Sequence, residues 1–415
     1  MAPPSVHVEP AWHADRGMLE RFVADLICDE LKQLRPGGAA LPERPWSADM
    51  ALDEAGLGMD SLEFLAVASA LSECLHLHES GLEDLLLARR RFGEWLDLVS
   101  DSLLAFDAGL TFRTSGSTGA AKPCCHSLAS LHQEVEYLAT LTPGVRRVLT
   151  AVPAHHIYGF LFTVLLPAQL DCDEVIDIRR QTPQSLASLL KPGDLVVSHP
   201  AHWALVERHA GRLPAGVLGA SSTAPCPDEL ALSLKAQGLE RLIQIYGSSE
   251  TAGIATRDCA GAPYRLMPFW ATHPHESNKL LRTTTSGQED AHDVRDLLEW
   301  LGRDLFRVMG RLDEAVQVAG TNVFPAQVRT VLCSHPRVAD AAVRLMTPAE
   351  GNRLKAFVLP VPGADLETLR DELWSWTQKR LPVPARPKAF SFGSSIPRTA
   401  LGKLADWPAT VGAPA

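Results

Sequence analysis

The first hundred residues carry a helical rhythm of apolar and polar positions. In "GMLERFVADLICDELKQL" the apolar residues Leu19, Phe22, Val23, Leu26, Ile27 and Leu31 recur at the helix period. A Pro/Gly-rich loop, "RPGGAALPERPWS", follows. The stretch "ALDEAGLGMDSLEFLAVASALSECL" then predicts a second helix. Asp60 or Ser61 would cap it, and its buried stripe would include Leu62, Leu65, Ala68 and Leu71. "RRFGEWLDLVSDSLL" closes the segment as a last helix. From residue 105 the rhythm changes. Short apolar runs ("GLTFRT", "RVLTAV", "DLVVSH", "AGVLGAS", "ERLIQIYG") alternate with helical stretches, which predicts an α/β fold. The longest apolar run, "IYGFLFTVLLPAQL", is shorter than the roughly 20 residues needed to cross a bilayer and predicts a buried helix.

Composition adds limits. A chain of 415 residues has room for two or three domains. Its 46% hydrophobic and 21% charged content is that of a globular protein rather than a disordered one. Residues 15–101 hold 8 Lys and Arg against 18 Asp and Glu, so this stretch alone accounts for the chain's net charge of −10. Such acidity argues against nucleic-acid binding and predicts a separate N-terminal module. The 8 cysteines form no C-x-x-C pair, so neither a zinc site nor a disulfide framework is expected. "MAPPSVHVEPAWHADRG" lacks the basic and apolar regions of an export signal, and a cytoplasmic location is the expectation.

The candidate chemistry begins at "TFRTSGSTGAAKPCCHS", residues 111–127. Gly116 and Gly119 can take φ > 0, so successive N–H groups converge into an anion-binding nest, and Lys122 adds positive charge. The spacing G-x-x-G-x-x-K, with no Ser or Thr after the Lys, excludes a Walker A loop and with it a P-loop kinase. The plain alternative is a flexible Gly/Ser turn. Five more segments follow in order: "VPAHHIYGF", "GASSTAPC", "QIYGSSETAG", "MGRLDEAVQVAGTNVFPAQV" and "IPRTALGKLADW". Several sit at the ends of expected strands, where an open α/β sheet binds ligands.

Taken in order, these segments resemble the core motifs of adenylate-forming enzymes: acyl- and aryl-CoA ligases, luciferase-like enzymes and peptide-synthetase adenylation domains. The likeness runs over roughly residues 105–405. It implies an ATP-binding core at 105–311, with mixed sheets, and a small mobile α+β domain at 312–415. Thr114, Ser115, Gly116, Ser117, Thr118, Gly119 and Lys122 would hold the ATP phosphates. Ser222, Thr223 and Ala224 would line the nucleotide site with Gly247 and Ser248. Tyr246 would stack on adenine, Ser249 would reach the α-phosphate, and Glu250 would bind Mg²⁺. Asp293, in "AHDV" where the family has T-G-D, would bind the ribose, and Arg311 the ribose or phosphate. Lys403 would neutralise charge at the α-phosphate in the transition state, and Asp313 would be the hinge. His156, Tyr158, Ile245 and Gly253 would line the acyl pocket. The bland reading of His156 is a histidine satisfied at a strand end.

The acidic segment 1–104 resembles an acyl carrier protein, with "LGMDSLEFL" at the start of its second helix. That resemblance implies 4′-phosphopantetheine on Ser61; an ordinary helix cap is the alternative. The two resemblances together imply activation of a small carboxylic acid, such as a hydroxybenzoate, to acyl-AMP, then transfer to CoA or to a carrier protein in cis or in trans. A short- or medium-chain fatty acid ligase and a non-catalytic carrier-docking homologue are the other readings. Family members usually place a long subdomain before the phosphate loop; here the carrier-like segment fills that space.

Overall fold

The computed structural model describes residues 12–35, 41–114, 122–276, 278–311, 316–397 and 405–408. The N-terminal stretch forms four helices: α1 (Arg16–Leu34), α2 (Ser61–Leu75), α3 (Glu83–Ala88) and α4 (Phe92–Ala105). Asp15 caps α1 by accepting from the Met18 N–H at 3.0 Å. Asp60, not Ser61, caps α2, and Glu63 completes a capping box. The buried stripe of α2 is turned from the expected one. Phe64, Val67, Ala68 and Leu71 are inside, whereas Leu62 is 78% and Leu65 48% exposed. Phe64 meets Trp95 of α4 edge to face at 5.2 Å, and that aromatic contact sets the rotation.

These helices are not a detached bundle. Their apolar residues belong to one continuous cluster with the following α/β unit. Trp12 and Phe22 pack edge to face on Phe160 at 5.1 and 5.5 Å, and Phe112 meets Phe160 at 5.6 Å. The expected boundary at 104/105 therefore coincides with no break in the core.

Next come β1 (Gly109–Thr114) and β2 (Lys122–Ser127), then α5 (Leu128–Leu141). β1 and β2 form an antiparallel hairpin in which Thr114 pairs with Lys122. "GLTFRT" thus lies outside the large sheet, contrary to expectation. The large sheet is built from β3 (Arg147–Thr150), β4 (Glu174–Asp177), β5 (Asp194–Ser198), β6 (Leu218–Ser221) and β7 (Arg241–Ser248), all parallel. Their crossovers carry α6 (Ile157–Phe160), a π-helical turn (Leu161–Leu165), α7 (Leu166–Gln169), α8 (Pro183–Leu189), α9 (Pro200–His209) and α10 (Asp228–Ala236). The apolar run at 157–169 is buried through Pro167, as its composition predicts. Antiparallel β8 (Ala252–Arg257) and β9 (Tyr264–Leu266) extend the sheet. β10 (Trp270–Thr272), β11 (Lys279–Thr283) and β12 (Glu289–Asp293) form a separate three-stranded sheet. β13 (Asp296–Trp300) and β14 (Leu305–Arg311) complete nine strands in the order β13-β14-β9-β8-β7-β6-β5-β3-β4.

The C-terminal part has its own core. It contains the hairpin β15 (Val316–Val318) and β16 (Thr321–Val323), α11 (Pro325–Cys333), and the sheet β17 (Val338–Leu345), β18 (Leu354–Pro360) and β19 (Ala389–Phe392) with α12 (Leu366–Arg380). Among the described residues no helix is long and apolar enough to cross a membrane.

Candidate active site

β3 lies between β4 and β5, so the chain goes out to the edge strand β4 and then returns past β3 to β5. Such a reversal opens a crevice at the carboxyl ends of the strands. Because β3, β5, β6 and β7 are parallel, the segments after them share that edge. These are the His155–His156 turn, His199, Ser222–Ala224 and the Tyr246–Glu250 turn.

The β1–β2 hairpin is tied to the same edge by a residue that sequence reasoning missed. The buried His126 ring donates from Nε2 to the Ser249 carbonyl at 2.7 Å. Burial holds its pKa below the usual value. The only sequence signal was alternation along β2, where Cys124 and His126 point inward. Ser115, Gly116, Ser117, Thr118, Gly119, Asp313 and Lys403 lie outside the described residues, as do the side chains of Thr114 and Arg311. Lys122 is exposed at the start of β2.

At the end of β7, the Tyr246 hydroxyl donates to Asp296 Oδ2 at 2.7 Å, and its ring meets Phe306 edge to face at 5.3 Å. Asp296 is the carboxylate beside the aromatic. Asp293 stands in the three-stranded sheet, paired with Lys279 and exposed. The ribose-site candidate therefore moves from Asp293 to Asp296. Glu250 lies 3.3 Å from Arg295. Among the described residues no three His, Cys, Asp or Glu side chains cluster to hold a metal. A lone carboxylate fits a Mg²⁺ that arrives with nucleotide phosphates, since such ions keep phosphate and water ligands.

Ser248 is engaged with Thr251 Oγ1 through both its N–H and its hydroxyl, each at 3.1 Å. Gly247 lies so close to the Ala252 carbonyl that any Cβ would collide with it, which explains the glycine. Ser222 donates to the Ile245 carbonyl at 3.0 Å. Thr223 is exposed and held at φ 74°, and Ala224 is half-buried. The small domain reaches this turn: a Cβ on Gly320 would sit 2.8 Å from the Thr223 hydroxyl.

At the other end, the His155 and His156 rings lie 4.3 Å apart. His156 is exposed at its outer side yet crowded by protein, and that desolvation, with His155 beside it, pushes its pKa down to about 4. It is a neutral imidazole at pH 7. Tyr158 is buried and its hydroxyl donates to the Ser198 carbonyl at 3.1 Å, which braces the end of β5. Ile245 is buried in the core. Gly253, which the family resemblance places at the acyl pocket, faces other protein groups. A Cβ there would run into the Glu134 carboxylate and the Met267 methyl. Both Glu134 oxygens accept from the Gly253 N–H, at 3.0 and 3.1 Å, while the Trp270 indole donates to the Gly253 carbonyl at 2.8 Å. Burial pushes Glu134 up to about 8, against the pull of Arg282 and the Gly253 N–H.

The chain resembles known proteins over most of its length. The AMP-binding enzyme family matches residues 106–277, and the AMP-binding enzyme C-terminal domain matches residues 327–403. A 4-coumarate–CoA ligase of Cereibacter sphaeroides is 40% identical over 410 residues, covering 95% of this chain and 97% of that one. A second protein of that name, from Halorhodospira halophila, is 39% identical over 386 residues, covering 92% and 97%. Among solved structures, an o-succinylbenzoate CoA synthetase from Bacillus subtilis shares the fold with a TM-score of 0.63 at 17% identity, over 95% of this chain and 97% of that one. The chain belongs to the AMP-binding, adenylate-forming family and is an ATP-dependent acid–thiol ligase.

Proposed function

We propose that the protein joins an aromatic carboxylic acid of the hydroxycinnamate type to coenzyme A through an aryl-AMP intermediate. The near-full-length likeness to two proteins named 4-coumarate–CoA ligase carries this reading. A hydroxybenzoate is the nearest competitor.

A carboxylate oxygen of the acid attacks the α-phosphorus of ATP, and pyrophosphate leaves. The loop 115–119 and Lys122 hold the phosphates, with Ser249 and Arg311 beside them. Lys403 offsets the negative charge that grows at the α-phosphate. Glu250 would hold Mg²⁺, which supplies charge neutralisation on the phosphate oxygens. Tyr246 and Asp296 take the adenosine, the carboxylate accepting from ribose hydroxyls. The neutral His156 fits beside a carboxylate acid because it adds no competing charge. After the small domain turns about Asp313, the thiolate of CoA attacks the acyl carbon and AMP departs with the bonding electrons.

The test is exchange of labelled pyrophosphate into ATP with a panel of cinnamates, benzoates and linear fatty acids, followed by thioester formation with CoA. Exchange is expected to be strongest with 4-hydroxycinnamate, and about 10²- to 10³-fold weaker in Lys403→Ala. Exchange with fatty acids alone would overturn the aromatic reading.

One observation keeps a carrier as a second acceptor. Ser61 is exposed in the first turn of α2, next to the exposed Leu62 and Leu65, as a modified serine with a partner surface would be. Intact mass after treatment with a phosphopantetheinyl transferase decides this. One added arm, lost in Ser61→Ala, supports it; an unchanged mass removes it.

A further inference from the structure

Arg21, Asp25 and Asp29 are spaced by four and lie on one face of α1. All three reach into the segment that begins at the end of β3. Arg21 donates to the Thr163 carbonyl in the π-helical turn at 2.6 Å. Asp25 is 4% exposed, and its Oδ2 accepts from the Ala154 N–H at 2.6 Å. Its Oδ1 pairs with Arg44 and with Arg179, each at 2.7 Å. Asp29 lies 3.5 Å from His155 Nε2 and is itself braced by Gln33 at 2.8 Å. Among the described residues His155 has no hydrogen-bond partner closer than this, and its ring lies tilted against that of His156 with the centroids 4.3 Å apart.

From this geometry we infer that α1 is a structural wall of the acyl side of the site, and that Asp25 and Asp29 are positioning residues for the His155–His156 pair. The inference rests on the reading that His156 lines the acyl pocket. Asp25 holds the backbone N–H directly before His155, so the turn cannot slide along the end of β3. Asp29 is the one α1 carboxylate within ion-pair distance of the His155 ring among the described residues, and the adjoining His156 ring inherits that orientation. The same Asp25 carboxylate ties in Arg179, which follows β4, so one helix face joins two neighbouring strand ends. Burial alone would raise the pKa of Asp25, but Arg179 and Arg44 outweigh it and hold the group ionised.

Asp29→Ala is the probe, since this side chain is 37% exposed and its loss need not unfold the protein. Lys32→Ala, on the exposed side of α1, is the control. Two readouts are needed. First, KM for the aromatic acid should rise about three- to tenfold in Asp29→Ala, with KM for ATP unchanged, as when one contact to a neighbouring side chain is lost. Asp29→Asn, which keeps an acceptor oxygen, should recover most of it. Second, the imidazole NMR resonances of His156, recorded without substrate, should move in Asp29→Ala and stay in Lys32→Ala. Unmoved His156 resonances, or a KM for ATP that rises equally, would overturn the inference. If the wild-type protein activates no aromatic acid, the proposed function falls, and the resonances still decide the role of α1.

Discussion

The N-terminal helices and the small C-terminal domain bury their charges in opposite ways. Asp25, under α1, draws its partners from distant segments: Arg44, Ala154 and Arg179. It ties the helices to the sheet. Lys355, on β18, is fully buried and keeps its partners inside the small domain: Glu350, Asp406 and the Trp407 carbonyl. The apolar residues repeat the contrast. Trp12 and Phe22 pack on Phe160 of the large unit, whereas Phe390 packs on Trp374 within the small domain's own cluster. A body that turns between two half-reactions must carry its core with it. A helix that supports a pocket must share the core of that pocket.

Three experiments test this contrast. The largest effect is expected from truncation. Removal of residues 1–104 should abolish folding of the remainder, because it strips one side of the shared core. Residues 316–415 alone should melt cooperatively by circular dichroism. A well-folded 105–415 fragment would show that the helices are an appendage.

Next are two core substitutions. Phe160→Ala and Phe390→Ala should each cost about 3–5 kcal/mol. In calorimetry, Phe160→Ala should lower the transition of the large unit with its helices. Phe390→Ala should lower only that of the small domain. Equal shifts of one transition in both would mean a single cooperative body.

The smallest effect concerns Glu134. Its carboxyl titrates near 8 in the folded chain and near 4.5 when unfolded. Between these values the unfolded chain releases a proton that the folded chain keeps. The stability linked to this group is therefore fully present below pH 4.5 and is lost as pH rises toward 8. Glu134→Gln, which still accepts from Gly253, should lose less melting temperature between pH 5 and 8 than the wild type.

Motif-bearing turns were legible in the sequence because they are local. Gly247 is glycine for a close backbone approach, and Asp60 with Glu63 caps a helix within four residues. The turn of α2 was not legible. Leu62 and Leu65 fit an apolar stripe as well as Phe64 and Val67 do, and only the contact of Phe64 with Trp95 chooses between the faces. Asp293 and Asp296 both follow an imperfect version of the same motif. The strand change between them places one beside Lys279 and the other beside Tyr246. That Gly253 faces Glu134 was not legible, because the two lie 119 residues apart in the chain.

By itself, then, the sequence determined the family, the order of the motifs and the kinds of element that carry them, since periodicity, capping and turn chemistry act over a few residues. Tertiary structure alone decided that the acidic helices share the core of the large unit, which carboxylate meets Tyr246, and what the bare face of Gly253 makes room for. Each of these depends on a contact between residues far apart in the chain, where a side chain's charge or size has effect only through the neighbour that folding brings to it.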